Sequence, residues 1–206
     1  MPIFFLIEGI IIGFSIAAPV GPIGVLCMRR TLAGGALCGF VSGLGAATAD
    51  AVYGSIAGFG LTFISSLLIA QQVWIRGIGG LFLCWLGLRT FLSEPTREDA
   101  AVTERSLISA FASTFLLTLT NPMTIVSFGA IFAGLGIGNT QGNYVSAGFL
   151  VLGVFLGSGL WWLTLSGTVG LVRSRLNPRS MRWINRISGT VIVGFGILAI
   201  LSLMSL

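Results

Sequence analysis

Six long apolar stretches dominate this chain and leave it few ways to fold. They lie at about 3–28, 36–62, 67–92, 107–135, 144–172 and 183–205. Each has at least the ~20 residues that a helix needs to cross about 30 Å of hydrocarbon. None shows the strict alternation of a membrane barrel, so helices remain the way to satisfy the backbone in lipid. The sequence predicts an all-α membrane protein with six transmembrane helices.

Composition agrees with one membrane domain. Of the 206 residues, 55% are hydrophobic and 8% are charged, whereas soluble domains carry about 25% charged residues. The mean hydropathy is +1.01. The apolar N-terminus lacks a basic segment and carries Glu8, so we interpret it as a retained first helix rather than a signal peptide. We expect a single domain over 1–206, divided into repeat one (1–93), a cytoplasmic linker (94–106) and repeat two (107–206).

The basic residues are all arginines, and they are distributed unevenly among the predicted loops. Loops one, three and five hold ten of the eleven: Arg29, Arg30, Arg89, Arg97, Arg105, Arg173, Arg175, Arg179, Arg182 and Arg186. They form no run or face of the kind that binds nucleic acid. The positive-inside bias therefore predicts that these three loops are cytoplasmic and that both termini lie outside.

The second half of the chain repeats part of the first. A shift of about 109 residues aligns helices two and three with helices five and six. The aligned pairs include Gly39 with Gly148, Tyr53 with Trp162, Gly80 with Gly189 and Gly87 with Gly196. Three helices per copy is an odd number, so the two copies cross the membrane in opposite directions. We predict two inverted three-helix repeats, an arrangement typical of secondary transporters and also found in channels and electron-transfer proteins.

Proline segments interrupt the first helix of each predicted repeat. Helix one contains Pro19, Gly21 and Pro22, and helix four contains Asn121 and Pro122. Proline removes a backbone donor and clashes with the preceding turn, so we expect both helices to kink or break there. Carbonyl and N–H groups freed at such breaks bind ions or zwitterions, which makes both segments candidates for substrate binding. A simple packing kink is the alternative, because proline is common in membrane helices.

One carboxylate lies deep in an apolar helix. Asp50 is near the middle of helix two, where a charged side chain costs roughly 2.5–3.5 kcal/mol on insertion scales. We expect it to face a cavity and to exchange a proton or bind a substrate ammonium. The alternative is a structural, neutral Asp50 hydrogen-bonded to Thr48, Ser42 or a neighbouring helix. Tyr53 and Trp162 occupy matching repeat positions and are candidates to line a cavity, with packing as their alternative.

Glycines recur at helical spacing in two places. They are Gly35, Gly39 and Gly43 in the first half and Gly153 and Gly157 in the second. Small residues at this spacing let membrane helices approach closely. The sequence leaves open whether they pack within one protomer or between the two protomers of a homodimer.

The sequence offers no set of metal ligands or catalytic groups. It has no histidine, and Cys27, Cys38 and Cys84 show neither paired nor metal-ligand spacing. Hydrolytic enzymes need a deep nucleophile–base pair or a metal site, and the sequence shows neither. We expect no enzyme activity, no cofactor, no metal and no nucleic-acid partner.

The order of these motifs resembles the lysine-exporter (LysE/RhtB) family. In the first half, the resemblance rests on Pro-x-Gly-Pro at 19–22, on Arg29 and on the glycine-rich helix with Asp50. In the second half it rests on 115–128, whose Asn-Pro pair resembles that family's Asn-Pro segment. The similarity covers essentially the whole chain.

The resemblance implies a secondary transporter in the bacterial cytoplasmic (inner) membrane. It would export amino acids or related small cationic or zwitterionic metabolites, with protons as the coupling ion. The positions that carry over as substrate or proton sites are Pro19, Gly21, Pro22, Asp50, Asn121 and Pro122. Many family members have Lys after Asn-Pro, whereas this chain has Met123, so the preferred substrate charge stays open.

Two other functions fit a six-helix membrane protein. Metal or inorganic-cation efflux is disfavoured by the absent histidines and scattered cysteines. A membrane thiol-electron carrier would need a redox cysteine near each proline break, and the sequence places none there.

Overall fold

The computed structural model describes residues 2–19, 21–59, 71–93, 104–121, 124, 127–128, 144–173 and 178–203. These residues form seven α-helices and no strand. The helices are α1 (Pro2–Ala17), α2 (Pro22–Gly34), α3 (Ala36–Gly58), α4 (Gln72–Phe91), α5 (Glu104–Leu119), α6 (Tyr144–Arg173) and α7 (Pro178–Leu201). The predicted all-α fold class is therefore correct. Pro122, Met123 and residues 94–103 of the predicted linker lie outside the described residues.

Three helices are individually long and apolar enough to cross a membrane. They are α3, residues Tyr144–Val172 of α6 and residues Arg179–Leu201 of α7. Helices α1 and α2 meet the same criterion only when they are taken together, and they are bent by 82° at their break. The apolar parts of α4 and α5, Gly77–Phe91 and Ser106–Leu119, are shorter. The described helices thus account for up to four spans, and the number six remains a prediction.

The break between α1 and α2 falls where the sequence predicted it. Helix α1 ends at Ala17, and α2 begins at Pro22 with Gly21 as its N-cap in an extended conformation. Pro19 cannot donate a hydrogen bond back to the preceding turn, which ends α1. Pro22 at the first helical position costs α2 nothing, because that N–H has no intrahelical acceptor. The chain therefore turns sharply here and restarts as a helix.

The prediction that Arg29 and Arg30 lie in a loop is wrong. Both lie within α2, which continues to Gly34 and is separated from α3 by Gly35 alone. Gly35 has φ 88°, a left-handed conformation that glycine adopts without strain, and its N–H donates to the Thr31 carbonyl oxygen at 2.8 Å. The sequence could not show this helix because two arginines in an apolar context look like a loop.

The last predicted span also begins too late. Helix α7 starts at Pro178 rather than at 183. Arg179, Arg182 and Arg186, which we assigned to loop five, therefore lie in its first turns. Proline at the first position of a helix marks this start, and the apolar pattern alone does not.

The two arginines of α2 connect it to four other segments. Arg30 donates to Ser42 Oγ (3.2 Å) on α3 and to Ala110 O (2.8 Å) on α5. It also donates to Thr114 Oγ1 (2.7 Å) and Ser113 Oγ (2.8 Å) on α5. Those hydroxyls give their own protons to carbonyl oxygens one turn earlier, so they are free to accept from the guanidinium.

Arg29 makes the corresponding contacts with the other helices. Its Nε donates to Asn185 Oδ1 (3.1 Å) on α7, and its guanidinium donates to Ser93 Oγ (2.6 Å) just after α4. Asn185 in turn donates to the Ser93 carbonyl oxygen at 3.0 Å. One end of α2 is thereby joined to the adjacent ends of α3, α4, α5 and α7.

We expect Arg30→Gln to lower the free energy of unfolding by about 2 kcal/mol, because it removes charge-assisted hydrogen bonds from acceptors that are mostly buried. Thermal unfolding in detergent measures this effect. Arg89→Gln is the matched control, since Arg89 is exposed and lies against Trp85 with its guanidinium 5.5 Å from the ring centre. Equal stability of the two variants would contradict the role given to Arg30.

Helices pack through glycines at two interfaces. Helix α1 packs on α6, where a Cβ on Gly153 would overlap the Leu6 carbonyl oxygen and lie 2.9 Å from Gly9 Cα. Helix α4 packs on α7, where a Cβ on Gly80 would lie 3.0 Å from Gly196 O and one on Gly87 2.9 Å from Gly189 O. Side chains at these positions would force the backbones apart.

Four of the five glycines whose packing partner the sequence left open pack within one protomer. Gly39 lies against Thr31 of α2, and Gly43 lies against Trp162 of α6. Gly153 and Gly157 lie against the backbone of α1. These contacts need no second copy of the chain. Helix α3 packs against both α5 and α6.

Candidate functional site

Six of the eight predicted site residues line one small cavity. They are Pro19, Gly21, Pro22, Asp50, Asn121 and Trp162. The remaining lining residues are Ile16, Ala17, Ile23, Gly24, Ala46, Thr118 and Thr124. Residues from both halves of the sequence, more than a hundred positions apart, therefore meet at one place.

The cavity forms where two interrupted helices face two continuous ones. On one side α1 ends at Ala17 and α2 begins at Pro22, and on the other α5 ends at Leu119, two residues before Asn121. Asp50 comes from the middle of α3, and Trp162 comes from the middle of α6. Helix ends carry backbone groups without intrahelical partners, so the two breaks bring polar backbone into an otherwise apolar bundle.

Asp50 is buried and belongs to a hydrogen-bonded chain that crosses from α3 to α6. Its side chain is 3% exposed, and its Oδ2 accepts a hydrogen bond from Ser158 Oγ at 2.7 Å. Ser158 Oγ accepts from Trp162 Nε1 at 3.1 Å. Within the described residues Asp50 forms no ion pair. Asp50 is thus hydrogen-bonded to a neighbouring helix, while Thr48 and Ser42 donate to carbonyl oxygens of their own helix.

Asn121 fixes the turn that ends α5. Its side-chain amide donates to Thr124 Oγ1 at 3.0 Å, and the Thr124 N–H donates back to the Asn121 carbonyl oxygen at 3.1 Å. The Asn121 N–H donates to Thr118 O at 3.2 Å. These local hydrogen bonds explain why an asparagine occupies this position. Pro122, the other half of the predicted motif, lies outside the described residues.

Tyr53 does not line the cavity. Its hydroxyl donates to the Leu119 carbonyl oxygen at the end of α5. Its ring stacks on Phe128, with ring centres 5.5 Å apart. Of the pair that matched in the repeat, Trp162 faces the cavity and Tyr53 caps the C-terminus of α5, satisfying a carbonyl that has no intrahelical donor.

An apolar layer separates the cavity from the arginines of α2. Leu26 and Cys27 lie on α2 between Pro22 and Arg30, and Ala46 and Ala47 lie on α3 between Ser42 and Asp50. Leu26, Cys27, Ala46 and Ala47 belong to one buried cluster together with Leu83, Leu117, Trp162 and Ile192. Buried apolar side chains thus lie between the cavity and the two arginines.

Sequence reasoning missed Ser158, Thr118 and Thr124. Ser158 was detectable in part, because Ser158, Trp162 and Ser166 recur every four residues and share one face of α6. The partner of that face was not detectable, since rotation of α6 about its axis decides which residue meets Asp50. Thr118 and Thr124 flank the predicted Asn-Pro motif and belong to the same turn.

The sequence model of a family described as LysE type translocator matches residues 14–203 of this chain. YcgF of Bacillus subtilis (strain 168), a proposed amino acid efflux protein, is 28% identical over 91% of this chain and 90% of its own length. A threonine efflux protein of Salmonella typhi is 30% identical over 66% of this chain and 70% of its own length.

A chemotactic transduction protein, ChpE of Pseudomonas aeruginosa, is 29% identical over 94% of this chain and 96% of its own length. No solved structure matches this chain. Two of these relatives match more than nine tenths of the chain, and the family model spans all the residues that line the cavity.

Proposed function

The chain belongs to the LysE type translocator family, and on that premise we propose that it exports amino acids or related small metabolites from the bacterial cytoplasm. It is an integral membrane protein, as its family and its apolar helices indicate. The relatives named for amino acid efflux and threonine efflux support this class of substrate.

The observation that carries the proposal is the convergence of two helix breaks and one carboxylate on a single cavity. Ile23 and Gly24 occupy the first turn of α2 and line the cavity. Their N–H groups have no acceptor within the helix, and the helix dipole makes this end attractive to a carboxylate. Asp50 offers the opposite charge to an ammonium. An α-amino acid carries both groups, so the cavity complements a zwitterion.

We propose that Pro19, Gly21, Pro22 and Asn121 shape this site and that Trp162 forms one wall. Tyr53 supports the site indirectly by holding the end of α5. Asp50 binds the substrate ammonium or a proton in alternation, which would couple export to the proton gradient. Movement of the two halves of the chain against each other would open the cavity to each side in turn.

The predicted inverted repeats, 1–93 and 107–206, are supported by the pairing of the helices. Gly80 faces Gly196, and Gly87 faces Gly189. A shift of about 109 residues converts Gly80 into Gly189 and Gly87 into Gly196, so the repeat operation exchanges one contact with the other. This reciprocity is what a pseudo-two-fold axis between α4 and α7 produces.

The same operation relates two further interfaces. Gly45 of α3 lies against Phe111 of α5, and Val154, its counterpart in α6, lies against Gly13 of α1. The first helix of each half thus packs on the second helix of the other half. We propose six spans in two inverted repeats, with both termini outside and the arginine-rich ends in the cytoplasm of a bacterial inner-membrane protein. We also keep the homodimer as a proposal.

Transport into inside-out vesicles tests the function. We expect a proton gradient that is acidic inside the vesicle to drive uptake of labelled amino acids, with threonine in the panel because of the named relatives. A protonophore should abolish accumulation. Vesicles from cells without the protein provide the blank.

Two outcomes would separate the parts of this proposal. Uptake that is indifferent to the protonophore would reject proton coupling but keep the exporter. No uptake of any amino acid by protein shown to be folded would reject amino-acid export.

A further inference from the structure

Asp50 is held by a donor that comes from the other half of the chain. Ser158 lies on α6, in proposed repeat two, while Asp50 lies on α3, in proposed repeat one. The Ser158 hydroxyl is fully buried, with 0% of the side chain exposed. It has one proton to donate, and the 2.7 Å contact with Asp50 Oδ2 uses it.

Trp162 restricts how that hydroxyl can point. An indole N–H is a donor only, so the 3.1 Å contact from Trp162 Nε1 occupies an acceptor lone pair of Ser158 Oγ. The serine proton is then directed away from Trp162 and toward the carboxylate. The neighbouring serine on the same face, Ser166, behaves differently because it donates to the Trp162 carbonyl oxygen of its own helix at 2.7 Å. Of these two serines, Ser158 therefore bonds to another helix, whereas Ser166 bonds to its own.

We propose that Ser158, oriented by Trp162, is the positioning residue that sets the proton affinity of Asp50 and ties it to the relative position of α3 and α6. A hydrogen bond donated to the ionised carboxylate favours that form over the protonated one. When α3 and α6 separate, the donor is lost and proton binding becomes more favourable. Conversely, protonation of Asp50 weakens the contact that joins the two helices. This inference rests on the proposed function, because only a transporter that alternates between conformations would use such a link.

In the described part of the chain, other charged groups do not set the proton affinity of Asp50. The described titratable side chains on the helices packed against α3 are Glu8 of α1, Cys27, Arg29 and Arg30 of α2, and Tyr144 of α6. None of them contacts Asp50 in the described part of the chain, and Arg30 is directed to Ser42 and α5. On α3 itself, Tyr53 is close enough to interact electrostatically with Asp50, but its hydroxyl proton goes to Leu119.

Infrared titration of the purified protein in lipid nanodiscs tests this inference without any substrate. The carbonyl band of a protonated carboxyl group, identified as Asp50 by its loss in Asp50→Asn, reports the pH midpoint of that group directly. In Ser158→Ala we expect the midpoint to rise by about one pH unit, since a hydrogen bond to a charged group is lost. Ser158→Thr keeps a hydroxyl and should restore the wild-type midpoint.

Ser166→Ala is the matched control, because Ser166 is also buried on the same face of α6 but bonds only to backbone of its own helix. It should leave the Asp50 band unchanged. Should Ser158→Ala fold poorly, Trp162→Phe retains most of the ring and removes the orienting donor, and it should shift the midpoint in the same direction by less. A midpoint that stays at the wild-type value in Ser158→Ala, or that moves equally in Ser166→Ala, overturns the proposal.

This experiment also separates the inference from the proposed function. A shifted midpoint in a protein that transports nothing would keep the role of Ser158 and reject the exporter. Normal amino-acid export with an unshifted midpoint would keep the exporter and reject the role of Ser158.

Discussion

Asp50→Asn is expected to reduce gradient-driven export by at least about tenfold while leaving the protein folded. Asparagine has nearly the same shape as aspartate, and its side-chain oxygen can still accept from Ser158, so the contact between α3 and α6 at 2.7 Å is preserved. What it lacks is the negative charge and the exchangeable proton. Loss of one charge-assisted contact to a substrate ammonium alone accounts for a factor of this size. Uptake into inside-out vesicles, normalised to folded protein, measures it.

The mode of failure distinguishes two roles for the carboxylate. If Asp50 carries only the coupling proton, the variant should still exchange labelled for unlabelled amino acid when no gradient is applied. If Asp50 binds the ammonium, exchange should fail as well. Glu8→Gln makes the same chemical change in α1, at a residue that does not line the cavity, and should transport normally. Full gradient-driven export by Asp50→Asn would remove Asp50 from the mechanism.

Gly153→Ala is expected to destabilise the protein by about 3 kcal/mol, although it adds a single methyl group. The new Cβ would overlap the Leu6 carbonyl oxygen and lie 2.9 Å from Gly9 Cα and from Ile10 N. All three atoms belong to the backbone of α1, so no side chain can rotate to make room. The two helices must separate, which weakens the close approach at Gly13 and Gly157 as well. Overpacking of this kind costs about 1–3 kcal/mol, and a backbone obstacle places it at the upper end.

Gly167→Ala makes the same change on the same helix where nothing lies within 4 Å. This control should be as stable as the wild type or slightly more stable, because alanine favours the helix over glycine. Thermal unfolding in detergent, followed by loss of the monodisperse peak on size exclusion, compares the two variants. Equal melting of both variants would mean that α1 and α6 do not pack as described.

The helix breaks could be predicted from local chemistry. Pro19 and Pro22 restrict the backbone wherever the chain goes, so a break between Ala17 and Pro22 follows from the residues themselves. The end of α5 at Leu119 was expected for the same reason, with Asn121 supplying a turn that local hydrogen bonds hold. The presence of a cavity at Asp50 was also expected, because a carboxylate within an apolar helix needs a polar environment.

The roles of Arg29 and Arg30 could not be predicted in this way. The distribution of arginines predicts which side of the membrane a loop faces, but it carries no information about which acceptor each guanidinium reaches. Their partners Asn185 and Thr114 are 156 and 84 residues away. Long side chains of arginine allow many such contacts, and only the packing of α2 among its neighbours selects these.

The sequence by itself determined that this chain enters a membrane as helices, where its first helix breaks, and that the carboxylate of Asp50 lies deep in an apolar helix. These properties depend on the residue and its near neighbours along the chain. The tertiary structure alone decided that Ser158 meets Asp50, that Trp162 faces the cavity while Tyr53 does not, and that Gly153 meets α1. The physical reason is that lipid and protein core are equally apolar, so the faces of a membrane helix look alike in the sequence and only packing distinguishes them.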